Sequence, residues 1–127
     1  MINIPLSKPC LGEEEKRAVN EVLDSGFLAQ GKNVKKFEEE FAHYVGVKEA
    51  IATSSGTAAL FVALKALGVK EGDQVITTPF TFVATASSIF QCGGMPVFCD
   101  VDEKTFNLDP GKLEDILKKE RNIKGII

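Results

Sequence analysis

The 127-residue sequence predicts an α/β domain built on a parallel sheet with helical crossovers. Short apolar runs alternate with segments of helical period, the connections between them are short, and glycines fall just past the helical patterns. Apolar residues make up 44% and charged residues 26%, a balance typical of a chain with a buried core. The net charge of −3, with lysines interspersed among acids, gives no electrostatic footprint for nucleic acid. No apolar run approaches the roughly 18 residues that cross a membrane. The start, MINIPLSKP, lacks the charged-then-apolar order of a secretory signal, so a cytoplasmic protein is expected.

GEEEKRAVNEVLDSG opens with acids, which suit a helix N-terminus, and closes on Gly26. Ala18, Val19, Val22 and Leu23 form its apolar stripe. FLAQGKN reads as a loop in which Gly31 takes a positive φ and Asn33 caps the next helix. In VKKFEEEFAHYVG, residues Val34, Phe37, Phe41 and Val45 fall at helical spacing and Gly46 ends the pattern.

The period then changes. EAIAT reads as a first short strand, followed by a small-residue loop and a helix from Ala58 to Leu67 ended by Gly68. GDQVITTPF is a turn and a strand stopped by Pro79, TFVATASSIFQCGG a helix, and MPVFCDVD a further strand. In NLDPGKLEDILKKE, Asp109 stands at the cap and Pro110 at the first helical position. NIKGII begins one more strand, which makes four alternations of strand and helix. The expected division is a helical segment over 1–46 and an incomplete α/β domain over 47–127. A sheet ending at KGII would leave an open edge, so the chain is expected to be part of a longer protein and to self-associate in isolation.

In a parallel sheet, ligands collect where strand ends lead into helix N-termini. The stretch Thr53–Thr57 is such a place. Free N–H groups and the dipole of the following helix favour a phosphate or carboxylate there. Gly56 admits an anion close to the backbone, Ser54, Ser55 and Thr57 bring hydroxyls, and Ala58 and Ala59 keep bulk away. Neither GxxxxGK[ST] nor GxGxxG is present. Taken alone, SSGTAAL fits an anion seat or a plain capped helix. At the next junction, TTPFTFVATAS, Phe80 and Phe82 follow Pro79 and could serve as core or as a flat platform for an aromatic ring.

The segments IPLSKPCLGEEEKRAV, LDSGFLAQGKNVKKFEEEFAHYVG, AIATSSGTAALFVALKALGV, GDQVITTPFTFVATASSIFQCGGMPVFCDVD and TFNLDPGKLEDIL together resemble the DegT-type sugar-nucleotide aminotransferases. The resemblance covers nearly the whole chain. It implies the aspartate-aminotransferase fold (fold type I) of pyridoxal-phosphate enzymes, with this chain as the first part of the large domain. It further implies that Gly56, Thr57 and Ala58 hold the cofactor phosphate through backbone N–H groups and the Thr57 hydroxyl, with Ser55 a weaker candidate. Phe82 would stack on the pyridine ring, and Gln30 and Gly31 would lie near the substrate.

The implied activity moves an amino group from glutamate or glutamine to a nucleotide-linked keto sugar, in a homodimer, for polysaccharide or glycosylated-metabolite synthesis. The family's Schiff-base lysine lies beyond the matched span, so residues 1–127 alone are expected to be inactive. Two alternatives remain: a keto-sugar 3-dehydratase of the same family, and a non-catalytic phosphate-binding or dimerising domain.

The remaining reactive residues have plainer readings. Lys65 and Lys70 lie at the far end of the helix that begins at the small-residue loop. Asp100 and Asp102 suit turn formation. His43 is expected on an exposed helix face. Glu13, Glu14 and Glu15 form a helix-start charge run. Cys10, Cys92 and Cys99, odd in number and without CxxC spacing, read as reduced, buried thiols rather than a disulfide frame or metal site.

Overall fold

A computed structural model describes residues 4–5 and 7–127. The chain divides into two compact units, Met1–Ala52 and Thr53–Ile127. The first holds helices α1 (Glu13–Ser25) and α2 (Lys32–Val45). The Glu15 carboxylate accepts the Gly12 N–H at 2.6 Å, which satisfies an otherwise free donor and holds that carboxyl below its usual pKa range. Both helices end in a left-handed residue, Gly26 at φ 71° and Gly46 at φ 78°, where a side chain would be strained.

Two loop expectations are corrected. Gly31 is extended at φ −154° and is itself the residue before α2, while Asn33 lies inside the first turn. The helix begins two residues early because Lys32 and Asn33 continue its backbone and the Lys35 N–H already reaches the Gly31 carbonyl.

The second unit holds α3 (Gly56–Ala66), β1 (Gln74–Thr77), α4 (Val83–Gln91), β2 (Met95–Phe98), α5 (Pro110–Lys119) and β3 (Ile123–Ile126). The three strands form a parallel sheet in the order β2-β1-β3, with Gln74 opposite Met95 on one side and Ile123 on the other. EAIAT is not a strand. A strand exists by pairing, both edges of β1 are taken, and the Ala52 N–H instead donates to the Glu38 carboxylate at 2.8 Å.

Central β1 is buried on both faces, with Val75, Ile76 and Thr77 all at 0% exposure. Leu64, Val69, Val75, Ile89 and Cys92 form the core between sheet and helices, with Phe61 packed against them. Asp109 accepts the Gly111 and Lys112 N–H groups through its carboxylate, so α5 starts at Pro110 as the sequence implies.

Thr77 Oγ1 is buried without a hydrogen-bond partner among the described residues. Leaving a polar group so buried costs about 1–3 kcal/mol. Thr77→Val, which keeps the branched shape and drops the hydroxyl, should therefore raise stability by about 1 kcal/mol. A urea unfolding midpoint below that of the parent chain would contradict this.

The link from β2 to α5 is a closed turn. Asp102 Oδ1 accepts the N–H groups of Lys104 and Thr105 at 3.0 and 2.8 Å, and Asp100 pairs with Lys112 Nζ at 2.8 Å. Both carboxyls thus titrate below their usual range, Asp102 chiefly through the Thr105 N–H and Asp100 chiefly through Lys112. A lowered folded-state pKa means that the stabilisation is complete above the unfolded value of about 3.9 and is lost as pH falls through the folded value. The stability difference between the parent chain and Asp102→Asn should shrink between about pH 6 and about pH 3. Paired urea titrations at the two pH values would measure it, and a constant difference would refute it.

Candidate functional site

Three contacts fix the relation of α3 to α4. Ser88 Oγ donates to the Thr57 carbonyl at 3.4 Å, Cys92 Sγ reaches the Phe61 carbonyl at 3.7 Å, and Lys65 Nζ donates to the Cys92 carbonyl at 3.0 Å. The first two pairs share one sequence offset, so the helices run parallel and side by side. Gly56 is then level with Ser87, and α4, which starts at Val83, extends about 6 Å beyond α3 at 1.5 Å per residue. Because α4 follows β1 directly, both N-termini open at the carboxyl end of that strand. Two positive helix ends at one rim favour an anion there.

The first turn of α3 shows which donors are free. Ser55 is the N-cap, extended at φ −166°, and its Oγ accepts the Ala58 N–H at 3.1 Å. The Ala59 N–H goes to the Ser55 carbonyl at 3.0 Å. The Gly56 and Thr57 N–H groups have no partner among the described residues. A Cβ built on Gly56 meets nothing within 4 Å, so the space before these donors is open. Thr53 Oγ1 donates to the Ser55 carbonyl at 3.0 Å and steadies the loop. Of the expected phosphate ligands, Gly56 and Thr57 therefore present free backbone donors, whereas the Ala58 N–H and the Ser55 oxygen already satisfy each other.

Phe82 is the residue before α4, with backbone φ −72° and ψ 142°, and its side chain is 76% exposed. By the helix register it stands about 7 Å beyond Gly56 along the helix axes. The exposed Phe82 ring and the free donors of α3 thus open on the same rim. Thr81 and Thr85 hydroxyls bond each other at 3.0 Å behind the Phe82 turn, and the Thr85 N–H caps onto the Phe82 carbonyl at 3.0 Å.

Gln30 and Gly31 belong to the other unit, where Gly31 lines a shallow hollow with Val22, Phe27, Leu28 and Val34. Lys65 sits about 13 Å along α3 from Gly56, held by the Cys92 carbonyl with its ammonium 6.0 Å from the Phe61 ring centre. His43 is exposed in the last turn of α2, and Asp102 is a turn former as expected. All three cysteines are free. Cys92 and Cys99 are buried, but Cys10 is exposed, against the reading of all three as buried thiols. Burial pushes the Cys99 thiol above its usual pKa, with the Asp109 charge adding to the effect, so it stays protonated and inert.

Two features of this rim carry no signal in the sequence. The orphaned Thr77 hydroxyl depends on tertiary packing, and the left-handed backbone of Phe106, at φ 57°, is a conformation that composition assigns to glycine or asparagine.

The chain is 54% identical over 111 residues to the spore coat polysaccharide biosynthesis protein SpsC of Bacillus subtilis, covering 87% of this chain and 28% of that protein. It is 39% identical over 117 residues to GDP-perosamine synthase of Vibrio cholerae, covering 91% of this chain and 31% of that one. It therefore spans less than a third of either relative's length. A crystal structure of GDP-4-keto-6-deoxymannose-3-dehydratase with a trapped PLP–glutamate geminal diamine superposes with a TM-score of 0.87 at 31% identity, over 98% of this chain and 33% of that one. The α/β architecture is thus that of the PLP-dependent aminotransferases. The model of the DegT/DnrJ/EryC1/StrS aminotransferase family matches residues 9–127, and the chain belongs to that family.

Proposed function

We propose that this chain is the cofactor-phosphate-binding part of a longer pyridoxal-phosphate enzyme that transfers an amino group from glutamate or glutamine to a nucleotide-linked keto sugar. The observation that carries the reading is the rim shared by α3 and α4. The unpartnered N–H groups of Gly56 and Thr57 open there, on the rim that also carries the exposed Phe82. The residues fit the cofactor: its phosphate would take the two N–H groups and the Thr57 hydroxyl, and Phe82 would cover one face of its ring. Gln30 and Gly31 are proposed neighbours of the substrate.

When bound, pyridoxal phosphate supplies an electron sink at the carbon that gives up or receives the amino group. The chain's own part is positional. The two N–H groups and both helix dipoles hold the phosphate without a formal positive charge, and Phe82 excludes water from one ring face. The Schiff-base lysine is proposed to lie in the rest of the longer enzyme, so residues 1–127 alone would bind without turnover. A homodimer and a cytoplasmic setting complete the proposal; three free cysteines suit a reducing compartment.

The test uses the longer enzyme purified with its cofactor. Adding glutamate or glutamine should change the cofactor's visible absorbance, and a keto sugar nucleotide should restore it with formation of an amino sugar detectable by mass spectrometry. The similarity to a 3-dehydratase supports a second reading, in which the product is a deoxygenated sugar without nitrogen. No absorbance change with either donor, and no sugar product, would refute both.

A further inference from the structure

Ser88 lies inside α4 with no exposure, so its hydroxyl reaches only partners within this unit, whatever the longer chain adds. Serine within a helix ordinarily turns its hydroxyl back to its own backbone. Ser87 does so, donating to the Ala84 carbonyl at 3.3 Å. Ser88 instead reaches across to α3 and donates to the Thr57 carbonyl at 3.4 Å. One turn deeper, Cys92 Sγ meets the Phe61 carbonyl at 3.7 Å, and the Lys65 ammonium closes the far end on the Cys92 carbonyl at 3.0 Å. The contact between α3 and α4 thus carries a polar group at each turn, and the one nearest the rim is Ser88.

Stability alone does not call for a serine here. Alanine is the better helix former and buries no polar group. A hydrogen bond as long as 3.4 Å adds little to folding. Its effect is local. The peptide joining Thr57 to Ala58 is gripped at both polar atoms, its carbonyl by Ser88 Oγ and its N–H by Ser55 Oγ at 3.1 Å. Ser55 belongs to an exposed loop, whereas Ser88 belongs to the core. Ser88 therefore ties the first turn of α3 to the rigid interior. The free N–H groups of Gly56 and Thr57 sit on the two peptides just before the gripped one.

We propose that Ser88 is a positioning residue for the cofactor phosphate: held against Thr57, it fixes the direction of the Gly56 and Thr57 donors before the anion arrives. This rests on the phosphate seat proposed above and adds the buried group that keeps it in order. Donors fixed in advance bind more tightly, because no ordering is left to be done on binding. Ser88 has no exposure and touches no ligand itself.

The experiment measures, by equilibrium dialysis against the cofactor-stripped longer enzyme, the affinities of pyridoxal phosphate and of pyridoxal, which has the same ring without the phosphate. The ratio of the two reads the phosphate seat alone. Ser88→Ala should lower that ratio about three- to tenfold and leave pyridoxal affinity unchanged. Ile89→Val destabilises the same helix without touching either grip on Thr57, so it should lower the thermal midpoint and leave the ratio unchanged. The phosphorus NMR resonance of the bound cofactor should move in Ser88→Ala and stay in Ile89→Val. Ser88→Cys, of similar size with a weaker donor, should lower the ratio at least about twofold, and it decides the matter should Ser88→Ala fail to fold. An unchanged ratio in Ser88→Ala, or an equal fall in Ile89→Val, would overturn the proposal. A parent enzyme that binds pyridoxal as tightly as pyridoxal phosphate would remove the seat itself and this role with it. A parent enzyme that discriminates while Ser88→Ala keeps its ratio would remove only the role.

Discussion

Gly56→Pro in the longer enzyme should cut cofactor affinity by about 10- to 100-fold while leaving the fold intact. Proline is favoured at the first position of a helix, where its missing N–H has no partner within the helix. The preceding residue, Ser55, is already extended at φ −166° and ψ 163°, the conformation that proline requires before it. No atom lies within 4 Å of a Cβ on Gly56, so the ring meets open space. The substitution removes one of the two free donors. A hydrogen bond to a charged group is worth about 1.5–3 kcal/mol, and each 1.4 kcal/mol is tenfold in affinity. Equilibrium dialysis of pyridoxal phosphate, read beside the thermal midpoint without cofactor, separates the two effects. Lost affinity with an unchanged or raised midpoint is the expected pair, and unchanged affinity would remove the anion seat from Gly56.

Ile89→Ala should destabilise the Thr53–Ile127 unit by about 2–5 kcal/mol. Ile89 has no exposure and packs among Leu64, Val69, Val75 and Cys92, so truncation leaves a cavity that rigid neighbours on α3 and β1 fill poorly. Ile89→Val should cost only about 0.5–1.5 kcal/mol. The larger loss is a substantial share of the whole stability of a small domain, about 5–15 kcal/mol. Urea unfolding of the two variants measures the ratio, and near-equal losses would mean that the site collapses around the smaller side chain.

The elements read best from sequence are those whose signals are local. Gly26 and Gly46 end their helices in left-handed backbone, and Asp109 with Pro110 starts α5, because a cap involves only residues within one turn. EAIAT failed because an apolar run becomes a strand only beside a partner, and no residue within it reports whether one exists. Asn33 lost the capping position to Gly31 by two residues, since Lys32 and Asn33 continue a helix as readily as they cap one.

At the candidate site, the small-residue loop pointed to a helix end that carries free donors. It did not reveal that Ser55 Oγ would take the Ala58 N–H, nor that α3 and α4 lie parallel with a one-turn stagger, which Ser88 and Cys92 set from over thirty residues away. Phe106 was illegible for a related reason. Asn107 beside it tolerates the left-handed region better, and only the hydrogen bonds of the closed turn decide which residue takes it.

The strand order β2-β1-β3 bears on how the protein is born. Gln74 meets Met95 after a short excursion of chain but meets Ile123 only after one more than twice as long. The longer loop costs about 0.7 kcal/mol more to close, and on the ribosome it emerges seconds later. The segment α3-β1-α4-β2 is therefore expected to fold before β3 docks, and pulse-labelled hydrogen exchange showing Ile126 protected ahead of Val97 would contradict that order. Every residue of the rim formed by Gly56, Thr57 and Phe82 lies in the early segment. A nascent chain would thus present its anion seat before its sheet was finished, and a ligand captured at that stage would bias the remaining steps toward the native state.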